Sequence, residues 1–281
     1  MCALHLALAA AALYGAVIAG MYFTQTWLLF PTTLVAGQVA VPSSVQRLEV
    51  EVPGGDRLAG VRIPASSDTG QVRPLLLGFG GNAWNAEAMA AYLHGLAPDH
   101  DVVAFHYRGY RPSTGRPSAD ALLSDAPIVF DHVQQVLAPR RVVAVGFSIG
   151  SGVAAYLARH RTVTGLILVT PFDSLEALAS DLYWWAPVGR LLRHRMPVID
   201  FVRGAATPTA LIVASQDTVV PARRSAPFRA VVPNLVLDRT IAAGHNDLYD
   251  RPAFADALRD SLAAIANFHA ARRPAEPGDA R

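Results

Sequence analysis

Val142-Val143-Ala144-Val145-Gly146-Phe147-Ser148-Ile149-Gly150 joins a short apolar run to a glycine-flanked serine. A continuous apolar run of this length, rich in β-branched residues, reads as a strand buried on both faces. The residues that follow, to about His160, have helical spacing. The stretch therefore specifies a strand, a sharp turn and a helix, with Ser148 at the turn inside the pattern Gly-x-Ser-x-Gly. Such a turn strains the serine backbone, and side chains two residues to either side would collide, which accounts for Gly146 and Gly150. The start of the helix directs unpaired backbone N–H groups toward developing negative charge. Gly152 and Ala154 are small enough to let the helix approach the sheet. Without partners for the serine, the same motif is only a tight strand-to-helix turn.

On the N-terminal side, Val45–Val52 and Arg57–Ile63 are β-rich and separated by Pro53-Gly54-Gly55-Asp56, which predicts a hairpin. Leu75–Phe79 and Val102–Phe105 are further buried runs on either side of a helical pattern, Ala86–Leu96. A loop rich in Arg, Gly, Pro and Ser (Tyr107–Ser118) leads to a second helical pattern, Ala121–Leu137, with Pro127 inside it. On the C-terminal side come the runs Leu166–Val169, Leu211–Val213 and Leu235–Leu237, a helical and irregular stretch over 171–208, and a closing helix, Pro252–Phe268. Strands alternating with helices predict an α/β fold: a mostly parallel sheet covered on both faces, with right-handed crossovers. Ligands of such sheets sit outside the C-terminal strand ends.

A serine nucleophile needs a base and an acid that orients the base. On this sheet they should follow in the order serine, acid, histidine, each just after a strand. Asp217 follows Leu211–Val213 in Ala214-Ser215-Gln216-Asp217-Thr218-Val219-Val220-Pro221, and His245 follows Leu235–Leu237 in Ala243-Gly244-His245-Asn246-Asp247. Singly, Asp217 reads as a helix cap and His245 as a loop histidine; all three in order at strand ends point to one site. Asp173 also follows a strand end and is an alternative acid, whereas Asp247 reads as a local hydrogen-bond partner. The oxyanion donors expected are the N–H of Ile149 and an N–H from the loop Gly78-Phe79-Gly80-Gly81-Asn82-Ala83-Trp84, with Asn82 as the second donor. The remaining histidines have no metal-ligand spacing with carboxylates, and no metal or cofactor is expected.

All 24 basic residues are arginine, and together with the 22 acidic ones they lie beyond residue 46. The absence of lysine excludes P-loop and Schiff-base lysine chemistry. The single cysteine, Cys2, excludes an internal disulfide. The densest basic runs, Arg190–Arg195 and Arg272–Arg273, are not interleaved with aromatics, so no nucleic-acid partner is expected. Leu6–Phe23 is uncharged and apolar, and the uncharged run continues to Phe30. At about 1.5 Å per residue this spans the roughly 30 Å hydrocarbon layer. Tyr22, Phe23, Trp27 and Phe30 then form an expected interfacial aromatic belt, and Pro31 closes the helix. A cleaved signal peptide fits less well, because the run is long and no Lys or Arg precedes it; a buried amphipathic element is the third reading.

These features together resemble the alpha/beta-hydrolase superfamily, and within it the small membrane-anchored serine hydrolases of the Bem46-like type. The resemblance rests on the apolar anchor, Gly80-Gly81-Asn82, Tyr107-Arg108-Gly109-Tyr110, Ser113-Thr114-Gly115-Arg116-Pro117-Ser118, Gly146–Gly150, Thr170-Pro171-Phe172-Asp173-Ser174-Leu175, Asp217–Pro221 and Gly244-His245-Asn246-Asp247-Leu248. Gly80 stands where relatives have His, and Arg111 where they have Gly. The resemblance implies an eight-stranded sheet and an esterase or thioesterase acting on acyl groups through Ser148, His245 and Asp217. The implied organisation is an anchor over 1–30, a linker over 31–44, a hydrolase domain over 45–270 and a disordered tail over 271–281. A small helical lid over 174–208 would be either a packed cap or an acyl-chain pocket that rests on the bilayer. Trp84, Phe147, Tyr183, Trp184 and Trp185 are the side chains expected to contact a small acyl ester, thioester or lipid. A peptidase on the same three residues and a non-catalytic lipid-binding scaffold are the alternatives, and the domain is expected on the non-cytoplasmic side by analogy of plan.

Overall fold

A computed structural model describes residues 1–35, 37, 39–66 and 73–272; most of the expected tail lies outside the described residues. The helix α1 (Cys2–Leu29) opens the chain. The hairpin β1 (Gln46–Val52) and β2 (Asp56–Ile63) precedes β3 (Leu75–Phe79), α2 (Ala86–Leu96), β4 (Val102–Phe105) and α3 (Ala119–Leu137). Next come β5 (Val142–Phe147), α4 (Ile149–His160) and β6 (Gly165–Val169). A cap follows, with the short helices α5 (Leu175–Leu182), α6 (Val188–Leu191) and α7 (Val198–Val202). The chain then forms β7 (Thr209–Ala214), α8 (Ala222–Ser225), α9 (Phe228–Val231), β8 (Leu235–Ile241) and α10 (Pro252–Ala270). The helix α3 continues through Pro127 without a break.

The eight strands form one sheet in the order β1-β2-β4-β3-β5-β6-β7-β8. The β1–β2 and β2–β4 pairs are antiparallel and all others are parallel. After β3 the chain moves outward to β4, then returns to the other side of β3 as β5. The loops leaving β3 and β5 therefore diverge, and a crevice opens at their C-terminal ends.

The apolar runs are continuous because each central strand feeds two cores. Along β5, Val142 and Ala144 pack into the core under α3 and α4. Val143, Val145 and Phe147 point the other way, into the core with Met89 and Leu93 of α2 and Phe254 and Leu258 of α10. This is the period of two of an extended chain applied to a sheet covered on both faces.

The N-terminal helix is long and apolar enough to cross a membrane, with a mean hydropathy of 2.0. Gln25, Thr26 and Phe30 belong to the folded domain. The Gln25 side chain donates to Leu191 O (3.3 Å) and accepts from Arg193 N (2.8 Å). Thr26 Oγ1 lies 2.8 Å from His194 Nε2 in the cap. Phe30, expected in an interfacial belt, is only 1% exposed and sits edge-on to the His194 ring. Phe23 and Trp27 stay exposed, so the expected belt is divided between core and surface.

His100, His106 and His194 are buried, and in each the loss of hydration is the largest influence holding the imidazole below its ordinary pKa of 6.5. Below that pH the unfolded chain binds more protons than the folded one, so stability falls as protons are added. The contribution is fully present above pH 6.5 and is lost as pH drops from there toward the lower folded values. Melting in detergent should show a lower Tm at pH 5.5 than at pH 7.5; an equal or higher Tm at pH 5.5 would contradict the burial of these rings.

Candidate active site

Ser148 occupies the turn between β5 and α4 with φ +52° and ψ −118°, a region that L side chains rarely enter. Its N–H donates to Val169 O (2.9 Å) across the sheet, and its carbonyl accepts from the Ser151 hydroxyl (2.6 Å) and amide (2.9 Å). Ser151, which nothing in the motif singles out, thus pins the strained turn. A Cβ on Gly146 would meet the Gly150 carbonyl and lie 2.6 Å from Ser151 Cα. A Cβ on Gly150 would overlap the Phe79 carbonyl and lie 2.6 Å from Gly80 O. Gly152 has a different role from the one expected: its open side faces Met196 and Val198 of the cap.

The Gly150 contacts are backbone on backbone, so no rotamer change relieves them. Gly150→Ala should destabilise the protein by about 3 kcal/mol or more, the upper range for overpacking. A Tm close to that of the unchanged chain would contradict this fit.

Asp217 and His245 reach Ser148 from the ends of β7 and β8. The Asp217 side chain is fully buried, and both of its oxygens are occupied. Oδ1 accepts from the amides of Val219 (2.8 Å) and Val220 (2.7 Å), and Oδ2 is 2.6 Å from His245 Nδ1. With Nδ1–H donating to Asp217, His245 Nε2 is left to accept from Ser148 Oγ at 3.1 Å. The alternative acid is committed elsewhere: Asp173 accepts from Arg224 (3.1 Å) and from the Ser174 amide (2.8 Å) in the cap. Asp247 is local, as expected, accepting from the Gly244 amide (2.7 Å) and from Arg251.

The loop after β3 lies directly across from the serine. A Cβ on Gly81 would be 3.7 Å from Ser148 Cβ and 3.7 Å from Phe147 O. Ile149 N–H opens α4 and so has no acceptor within the helix. Neither it nor Asn82 N–H has a backbone acceptor among the described residues. The Asn82 side chain is held at both ends: Oδ1 accepts from Tyr110 OH (2.7 Å), and Nδ2 donates to Leu29 O at the end of α1 (2.7 Å). Tyr107 OH donates to Gly80 O (2.8 Å). Burial raises both tyrosine hydroxyls well above their usual pKa, which keeps them as donors. The two tyrosines of Tyr107-Arg108-Gly109-Tyr110 therefore brace the loop from behind. The motif was visible in the sequence, but its role was not.

Residues 75–188 match the family model of the alpha/beta hydrolase fold. An uncharacterized protein of Mycobacterium tuberculosis is 33% identical to this chain, over 88% of the chain and 92% of that relative. The chain belongs to the alpha/beta-hydrolase superfamily. It is also similar to a lysophosphatidylserine lipase of Danio rerio, at 29% identity over 43% of this chain and 37% of that protein. Its fold matches that of an esterase of Pyrococcus furiosus with a TM-score of 0.67, at 17% identity over 83% of this chain and 96% of the other.

In this hydrolase fold the aromatic residues expected around the substrate are dispersed. Trp84 is at the site: a Cβ on Gly81 would lie 3.9 Å from its ring. Phe147 is fully buried, its ring 5.2 Å from that of Trp84 and 6.0 Å from that of Tyr249, so it is core and offers no surface to a ligand. Trp184 is 83% exposed. Trp185 and Tyr183 meet α1: Tyr14 OH donates to Trp185 O (3.0 Å), and Tyr183 lines a groove shared with the helix. A residue missed in the sequence is Tyr249, whose hydroxyl is pushed up to about 12 by burial first, against the lowering effect of Thr170, with the Asp217 charge adding to the rise. Among the described residues no group of three His, Cys, Asp or Glu side chains is arranged to hold a metal.

Proposed function

We propose that the chain is a membrane-tethered serine hydrolase that cleaves carboxylic esters or thioesters of acyl substrates. One observation carries this reading: Ser148, His245 and Asp217 form a continuous hydrogen-bonded series at 3.1 Å and 2.6 Å, at the crevice end of the sheet. Ser148 Oγ attacks the acyl carbonyl while His245 Nε2 takes its proton. The carbonyl oxygen becomes an oxyanion, held by the N–H groups of Ile149 and Asn82. His245 then returns the proton to the leaving alcohol or thiol, which leaves an acyl group on Ser148. A water molecule, deprotonated by His245, releases the acid and restores the serine. Asp217 holds the imidazole in the required tautomer and stabilises its charged form.

The similarity to a lysophosphatidylserine lipase supports an ester as substrate, and the apolar α1 supports membrane attachment. The test is labelling of the detergent-solubilised full chain with a fluorophosphonate, which traps an activated serine. The unchanged chain should label, and His245→Ala should not while keeping its Tm. A folded chain that takes no label overturns the reading in favour of a non-catalytic scaffold.

A further inference from the structure

Six residues of α1, namely Ile18, Met21, Tyr22, Gln25, Leu28 and Leu29, recur at helical spacing and form one wall of an apolar groove. The opposite wall is the cap, from Ala179 and Tyr183 through Ala186 to Leu192. Along α1 the groove extends from Ile18 to Leu29, roughly 16 Å at about 1.5 Å of rise per residue. Its two ends differ. At the inner end Leu29 O accepts from Asn82, the residue beside Gly81 across from Ser148. At the outer end it reaches Ile18, next to the stretch of α1 that is exposed throughout. The groove thus runs along α1 from its exposed part to Leu29, which is bonded to the loop that faces Ser148.

The surface around the outer end is unsuited to water. Leu182 is 53% exposed and Trp184 83%, both at the tip of the cap, and Trp185 beside them packs on Tyr14 of α1. Apolar and Trp side chains in this arrangement suit the boundary of a bilayer. Arg193 lies over the Tyr22 ring at 5.1 Å and donates to Tyr22 O (3.5 Å), and neither it nor Arg190 has a carboxylate partner among the described residues. Two guanidiniums without a carboxylate partner, near an apolar tip, match the level of lipid phosphates.

The geometry points to this groove as the path of a lipid acyl chain. The substrate, on the hydrolase reading above, is a bilayer lipid whose chain passes between α1 and the cap while its ester bond reaches Ser148. α1 is then part of the substrate site, and the cap is open to the hydrocarbon layer. Chain length, not only the ester group, sets the rate.

The test uses the full chain in phosphatidylglycerol-containing vesicles, with p-nitrophenyl palmitate and p-nitrophenyl butyrate as probes. Ala186→Trp and, separately, Ile18→Trp narrow the groove at two points far from the triad. Each should lower kcat/KM for the palmitate by about 10-fold or more, since one methylene in an apolar pocket is already worth that much. The butyrate rate and fluorophosphonate labelling should stay within about two-fold. The Ile18 variant, in an exposed helix, keeps the proposal testable if Ala186→Trp does not fold. An equal loss for both esters, or no loss for either, overturns the groove assignment and leaves the hydrolase reading standing. Failure of the unchanged chain to cleave the butyrate or to label overturns both.

Discussion

Replacing Ser148 with alanine should lower kcat on a short-chain ester by about 10⁴–10⁶ while the protein stays folded. On the proposed mechanism the attacking atom is deleted, and no other described hydroxyl is hydrogen-bonded to His245 Nε2. Alanine keeps the Cβ, so the backbone strain at φ +52° is the same in both proteins. The turn is anchored by Ser148 N–H and C=O and by Ser151, and none of these depends on the lost hydroxyl. Tm should therefore move by less than about 3 °C. Residual turnover would come from the oxyanion donors and from binding alone. Turnover within tenfold of the unchanged chain would place the nucleophile elsewhere.

Asp217→Asn should lower kcat by about 10⁴, through the tautomer of His245. Asp217 Oδ1 is held by two backbone amides, from Val219 and Val220. In the asparagine variant the carbonyl oxygen takes that place, and the NH₂ group turns toward His245. It then donates to Nδ1, which moves the imidazole proton to Nε2, where it can no longer accept from Ser148. The matched control is Asp173→Asn. Asp173 is committed to Arg224 and the Ser174 amide, so its loss should change kcat by less than about tenfold and act mainly on Tm. Reversal of the two outcomes would make Asp173 the acid and overturn the geometry described here.

Much of the architecture was legible because local sterics and periodicity encode it. The run Val142–Val145 could be read as a strand because apolar residues on both faces leave no amphipathic pattern, and this is the signature of a covered parallel sheet. Gly146 and Gly150 could be read as an elbow because the clash they avoid lies within one turn and its neighbouring strand end. The positions of Asp217 and His245 followed from the rule that strand ends converge on the crevice. The aromatic residues were misplaced for a related reason. Phe147 belongs to the β5 alternation and is committed to the core by its parity, whereas Trp184 lies on an irregular cap segment with no period to show which way it faces.

By itself, then, the sequence determined the alternation of strands and helices, the strained serine and the order of its partners. It also determined the presence of a helix long enough to span a bilayer. Only the tertiary structure decided that Gln25 and Thr26 bond to a cap more than 160 residues away, that Phe30 leaves the belt for the core, and that Asn82 ties the end of α1 to the loop facing Ser148. The division has a physical cause. Backbone sterics and side-chain period act between near neighbours, so a contiguous stretch carries them. A hydrogen bond between distant segments depends on where the whole sheet sets them, and no single stretch records that placement.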